Sequence, residues 1–249
     1  MHVMARALWA PKAGNRSDEY EDAFWPQRTI NRTVNRSGLV RLAVADGATE
    51  TSFAGLWARQ LVRAFGSGCF AGSNWPEHLQ REQAAWYAEV LQKPLPWYAE
   101  EKVHSGAYAA LVGLELFSVG NWRSLAVGDC CVLQWRAGEL VAAFPAEGAD
   151  FFTSRPFLVP SNRAASNGLA ERVQWASGGW QGGDRFALVS DALGQWMWRR
   201  MEAGDPPWQA LEELHRTGQQ RIFGEWIAGL RASGELRNDD VTAVLVAVT

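Results

Sequence analysis

Several apolar runs in this sequence begin or end on a carboxylate, and no other feature constrains its folding as much. Arg41-Leu42-Ala43-Val44-Ala45 runs into Asp46-Gly47, Phe186-Ala187-Leu188-Val189-Ser190 runs into Asp191, and Asp239-Asp240 open the run Val241 to Val248. Glu21-Asp22 stands just before Ala23-Phe24-Trp25. Taken alone, Asp-Gly is a common turn signal that needs no function. Strand ends are rigid, however, and an acid fixed there projects from a sheet edge in a set direction. Gathering such acids costs about 1 to 4 kcal/mol per pair at roughly 4 Å, depending on the dielectric. A divalent cation with all-oxygen ligands offsets that cost, and hard ions such as Mg²⁺ or Mn²⁺ suit carboxylates, backbone carbonyls and waters. Whether these acids converge is decided by tertiary structure.

The rest of the chain alternates helical and strand periods. Phe53, Leu56, Trp57, Leu61 and Phe65 recur at steps of three and four, predicting an amphipathic helix with Thr51 or Ser52 as N-cap and Gly66 as terminator. Asn74, Pro76 and Glu77 suit the first turn of a second helix that ends before Lys93-Pro94. From residue 106 the period changes. Short runs at 106–117, 123–129, 130–144 and 172–177 are separated by Gly, Asn and charged turns, which reads as antiparallel strands joined by hairpins. Residues 145–170 mix Pro, Ser, Asn and Gly and read as a long irregular segment of the kind that often serves as a lid. A strand entering a helix (184–201), two further helices and a terminal strand complete one α/β domain spanning 1–249, with sheets covered by helices.

Length and composition limit what such a chain does. At 249 residues it can bury a large core without a disulfide or metal staple. A net charge of −3 and the absence of any basic block beyond Arg199-Arg200 argue against nucleic-acid binding. Cys130 and Cys131 are adjacent and would point to opposite faces of a strand, a poor disulfide or metal clamp, so a reducing cytoplasm fits the cysteine usage. No run reaches the roughly 18 apolar residues of a membrane span, and the protein is expected to be cytoplasmic. The 14 Trp are expected in core and interface, with Gly194 to Met201 packing a helix onto a sheet. The His at positions 2, 78, 104 and 215 show no zinc spacing, and His78 and His215 are expected on helix surfaces.

The ordered series "EYEDAF", "VADGATE", "AVGDCCVLQWRAGEL", "LVSDALG" and "NDDVTAVLV" resembles the motif set of the metal-dependent protein phosphatases, the protein phosphatase 2C-like family of bacterial type. The resemblance runs from residue 19 to 249. It implies an α+β fold: two stacked antiparallel β-sheets flanked by helices, a four-layer αββα sandwich. It implies a serine/threonine phosphatase in which a hydroxide bridging two ions, Mg²⁺ or Mn²⁺, attacks the phosphoester. The metal lowers the pKa of water from 15.7 towards about 7, so no nucleophilic side chain is needed. By the same resemblance Asp46 bridges both ions, the Gly47 carbonyl binds one, Asp191 and Asp239 hold the other, and Glu21 and Asp22 orient waters or contact the second metal. Asp22, Asp46 and Arg16 form the catalytic set, with Arg16 as phosphate ligand. Asp129, at the hairpin position, is read as a structural turn residue. The implied partner is a phosphoprotein made by a Ser/Thr kinase, and the alternative is a catalytically weak, phosphatase-like regulatory or binding module.

The chain departs from the family pattern in several places, among them the family's Gly-Ser/Thr-Thr-Ala strand start, which is Gly106-Ala107-Tyr108-Ala109 here. Ala48-Thr49-Glu50 follow Asp46-Gly47 where many members have His or Met and then Gly-Gly, which leaves leaving-group protonation to water or another group. The family's phosphate-binding Arg falls on Ser17, one residue from Arg16. A third ion lacks its usual Asp, with only Glu101 or His104 nearby. Ser-Asp-Gly-Leu becomes Ser190-Asp191-Ala192-Leu193, which keeps the acid.

Overall fold

The computed structural model describes residues 1–35, 37–72, 74–92, 103–152 and 155–249. Glu101, a candidate for the third ion, lies outside them.

Two antiparallel sheets stack face to face. The first runs β3 (Ile30–Thr33), β1 (His2–Ala10), β12 (Val241–Val248), β11 (Arg185–Val189), β7 (Cys131–Arg136) and β8 (Glu139–Phe144). The second runs β10 (Gln174–Gly179), β6 (Asn121–Val127), β5 (Tyr108–Phe117), β4 (Leu39–Gly47) and β2 (Ala23–Trp25), with β9 (Val159–Pro160) also paired to β5. On the outer face of the second sheet lie α1 (Ala54–Ser67) and α2 (Trp75–Leu91). On the outer face of the first lie α3 (Asp191–Glu202), α4 (Trp208–Thr217) and α5 (Gln220–Ala232). This is the four-layer αββα sandwich that the sequence predicts.

Strand periodicity builds the layers. Along β4, Val40, Leu42 and Val44 pack between the sheets, whereas Ala43 and Ala45 pack under α1. Along β12, Val244, Val246 and Val248 face the other sheet, and Ala243 and Leu245 face α3 to α5. Cys130 joins the core between the sheets and Cys131 the helix-side core, both as free thiols, as adjacent strand residues must. Trp196 and Met197 dock α3 on the first sheet, and Trp135 stacks on Trp208 of α4 at 4.9 Å between ring centres.

Several sequence expectations shift. The N-cap of α1 is Phe53, in the left-handed region at φ 62°, and the helix ends at Gly68 rather than Gly66. Thr51 is drawn away from capping: its hydroxyl donates to the Ala48 carbonyl (2.9 Å) and accepts the Tyr108 N–H (3.3 Å). β1 and β3 were not anticipated, although β1 is central, pairing on one side with β12 and on the other with β3. His78 is half-buried and bonds Asn74. His215 corrects an expectation: it is 6% exposed, packed under α4 against the first sheet. Burial, with Arg185 and Arg6 adding like charge, lowers its pKa to about 4.

α1 comes close to the sheet because β5 carries a glycine beneath it. A Cβ on Gly113 would stand 2.2 Å from the Phe65 ring. Gly113→Ala is therefore expected to cost about 1–3 kcal/mol by overpacking, read as a lower urea midpoint with an unchanged slope.

Candidate active site

The alternation that fills the core also gathers the acids. Asp46 continues the series Val40, Leu42, Val44 and so emerges between the sheets at the end of β4, paired across from Ala110. Asp22 shares the face of Phe24 on β2, and Asp240 and Thr242 share that of Val244 on β12. A carboxylate at the end of a buried strand thus occupies a core direction just where the core runs out.

A cleft of about 630 Å³ opens at this end, lined by Asp46, Gly47, Ala48, Asp129, Asp191, Arg237 and Asp239 among others. A larger groove of about 920 Å³ lies on the outer face of the first sheet, lined by Arg6, Arg185, His215 and Arg216 together with Glu212 and Glu213 of α4, and holds none of the strand-end acids. The electrostatics mark the smaller cleft as the chemical one. Asp46 is pushed well above the ordinary carboxylate range, first by burial and then by the charges of Asp22, Asp129 and Asp239. Asp22 is 2% exposed, and burial raises it to about 7. Asp129, 4% exposed, is raised to about 6, again chiefly by burial. Asp129 was expected to be a turn residue; its side chain lines the cleft with the others.

Around the acids the polar groups form a chain. Thr242 Oγ1 donates to Asp22 Oδ2 at 2.6 Å, so the Tyr20 hydroxyl, in contact with Thr242 Oγ1, must donate to it. The Thr242 N–H donates to Ser190 Oγ at 2.9 Å, which ties the start of β12 to the turn before Asp191. Asp240 accepts the N–H groups of Lys12 and Glu21, both at 2.7 Å, and clamps the Glu21-Asp22 segment onto β12. Sequence reading assigned no such role to Asp240; its one legible signal was a second acid beside Asp239. Gly47 is a matter of close approach: a Cβ there would lie 2.8 Å from the Glu21 carbonyl and 2.9 Å from the Ala54 backbone. The Asp-Gly and Glu-Asp motifs need each other's backbones in contact.

Two cations face the cleft, Arg155 from the long segment after β8 and Arg237 from the loop after α5. Arg237 is ion-paired with Asp191 and lies 3.7 Å from Asp239 Oδ2. Arg16 does not join them. Its side chain is 77% exposed, paired with Asp18, in a turn capped by Glu19. Glu21 is half-buried and raised in pKa, first by burial.

Among the described residues no three His, Cys, Asp or Glu side chains stand close enough together to hold an ion as they are. The donor chemistry nevertheless fits a hard divalent cation: the acids and the Gly47 carbonyl offer oxygen ligands, and Asp22 Oδ1 and Asp191 Oδ1 are buried with no hydrogen-bond partner. A buried carboxylate oxygen without a donor is costly unless protonated or bound to a cation.

No protein-family model matches the sequence, and no curated protein matches it. Solved structures do. The chain is similar to the catalytic domain of the serine/threonine phosphatase PstP in complex with two manganese ions, at TM-score 0.61 and 16% identity, covering 99% of this chain and 100% of that one. It is similar to PppA, described as a regulatory component of T6SS in Pseudomonas aeruginosa, at TM-score 0.56 and 16% identity over 100% and 99% of the two chains. The photosystem II phosphatase PBCP gives TM-score 0.56 and 17% identity over 99% of each. The chain has the fold of the metal-dependent protein phosphatases.

The raised carboxylates set a pH dependence for the metal-free protein. Asp22 and Asp129 bind protons more tightly folded than unfolded, so the stability they confer is whole below about pH 4 and is lost as pH rises through 6 and 7. His215 acts in the opposite sense, but only below about pH 6.5. In EDTA the protein is expected to lose on the order of 1 kcal/mol between about pH 6.5 and 8. Asp22→Asn should flatten that slope in urea titrations at the two pH values.

Proposed function

We propose that this protein is a divalent-cation-dependent phosphatase acting on phosphoserine and phosphothreonine in proteins. The observation that carries this reading is the convergence of Asp46, Asp129, Asp191 and Asp239, from four separate places in the chain, on one cleft at the end of the interface between the sheets, with Asp22 buried beside Asp46. The fold shared with phosphatases, one of them in complex with manganese, supports it.

Asp46, the Gly47 carbonyl, Asp22 and Glu21 are the groups that would hold one ion, and Asp191 and Asp239 are the groups that could hold another. A bound ion lowers the pKa of water and neutralises phosphoryl charge, which is what hydrolysis of a very unreactive ester requires. The chain's own residues do the positioning. Thr242 orients the Asp22 carboxylate through its 2.6 Å hydrogen bond, and Asp240 fixes the backbone of Glu21. Arg155 is the exposed cation at the cleft mouth and is placed to meet a phosphate, a task that Arg16, paired with Asp18, is not placed to do. Ala48 brings no proton donor to the cleft, so the leaving alkoxide takes its proton from solvent or from a neighbouring acid. The cleft is open, as a phosphoserine on a loop of another protein requires. We further propose that the substrates are products of a Ser/Thr kinase and that the protein works in the cytoplasm; no helix among the described residues is long and apolar enough to cross a membrane.

The test is hydrolysis of p-nitrophenyl phosphate and of a phosphothreonine peptide with Mn²⁺ or Mg²⁺, against EDTA. Turnover is expected only with metal, and Asp46→Asn should lower kcat by at least about 100-fold, the scale of losing a transition-state contact. Arg155→Ala is expected to raise KM for the peptide by about tenfold, with a smaller effect on kcat. Folded protein inactive with every divalent ion would defeat the enzyme reading in favour of a phosphatase-like binding module.

A further inference from the structure

We infer that Arg237 is a built-in cation at Asp191 and Asp239, standing where a second divalent ion would otherwise be held, so that the chain takes up one ion rather than two. The inference rests on the metal-dependent reading above and refines the charge state of that site.

The acids of the cleft divide into two groups of unequal compensation. Asp191 and Asp239 share the Arg237 guanidinium. Asp22 and Asp46, by contrast, have no cationic side chain bonded to them among the described residues; the groups around them are the hydroxyls of Thr242 and Ser190 and other acids, and Asp22 Oδ1 is buried without a hydrogen-bond partner. The half of the cluster that lacks a counter-charge is the half that needs an ion.

Arg237 is held in place rather than lying loosely over the surface. Leu236, its neighbour, is 4% exposed in the helix-side core. On the other side Asn238 accepts the Ala13 N–H at 2.7 Å and donates to the Ala13 carbonyl at 3.2 Å. Arg231 of α5 donates to the Pro11 carbonyl at 2.9 Å and to the Asp239 carbonyl at 2.5 Å. The backbone on both sides of Arg237 is therefore pinned, and its side chain is only 34% exposed. A guanidinium spreads its charge over a rigid planar fork that can face two carboxylates at once. The Arg237 Nε is buried, with no hydrogen-bond partner, and faces Asp239 Oδ2 at 3.7 Å. A single delocalised charge satisfies Asp191 only in part, since Asp191 Oδ1 is still unpartnered, and that oxygen is what a second ion would use if Arg237 were removed.

The test counts ions directly. Wild type, Arg237→Ala and Arg237→Gln are purified as full chains in Mn²⁺, equilibrated by dialysis at saturating Mn²⁺, and analysed for metal per chain; circular dichroism on the same samples verifies the fold, and Gln keeps bulk and polarity if Ala does not fold. One Mn²⁺ per wild-type chain and two per variant chain is the expected result. Two on wild type, or one on a folded variant, overturns the role of Arg237 and leaves the metal-dependent reading standing. No Mn²⁺ on any of the three overturns both. A titration of wild type from the EDTA-treated state should show a single class of site, and Arg237→Gln should add a second class with Kd within about 100-fold of the first.

Discussion

Mutual repulsion of carboxylates held at the ends of buried strands is the constraint on which the rest of the site depends. Asp46 and Asp22 are kept in place by the same alternation that puts Val44 and Phe24 between the sheets. Neither acid can turn away to solvent without turning its strand. The energy that holds them is therefore the burial of Val40, Leu42, Val44, Val244 and Val246, at about 1.5–3 kcal/mol for each fully buried side chain. Against this, each uncompensated pair of charges costs about as much as one such side chain stabilises. The structure limits the penalty by three devices: protons held by carboxylates of raised pKa, the guanidinium of Arg237, and hydrogen bonds from Thr242 and the Glu21 and Lys12 amides.

Those amide bonds explain how residues more than 200 apart in sequence come to share a site. The stretch between β1 and β2 has little regular structure of its own, yet it must deliver Glu21 and Asp22 to the cleft. Asp240 accepts from both ends of that stretch, Lys12 and Glu21, while Asn238 and Arg231 take Ala13 and Pro11. A carboxylate does this better than an amide would, since both its oxygens only accept and both partners are N–H donors. The cost is one more negative charge near Asp239 and Glu21, which contributes to the raised pKa of Glu21 after burial.

How much of this was legible beforehand follows from what each signal depends on. Short apolar runs such as Tyr108–Phe117, buried on both faces, and acids at strand ends are local and could be read directly, and the order of the motifs pointed to the sandwich. β1 was passed over because Val3, Ala5, Leu8 and Ala10 mix small and large side chains and carry Arg6 between them; only its two neighbours in the sheet, β12 and β3, reveal it. His215 looked like a surface residue because α4 carries Glu212, Glu213 and Arg216 beside it, and its burial depends on where the helix lands on the sheet. Arg237 gave no signal, since an Arg two residues before an acid is common on any loop. Its pairing with Asp191 joins the loop before β12 to the start of α3, and nothing local encodes that.

A fold can be shared at 14–17% identity because the constraint acts on charge and direction, not on residue names. The direction is set by strand parity, which tolerates any apolar residue of fitting volume at the core positions. The charge must be balanced, but an ion, a proton or a guanidinium can each balance it. These differ in what they permit afterwards. A proton leaves as pH rises, an ion exchanges with solution, and Arg237 is tethered at fixed stoichiometry. A cleft with one tethered cation beside Asp191 and Asp239 therefore keeps part of its compensation in the absence of metal, and leaves Asp22 and Asp46 to be balanced by protons or by an ion that exchanges with solution.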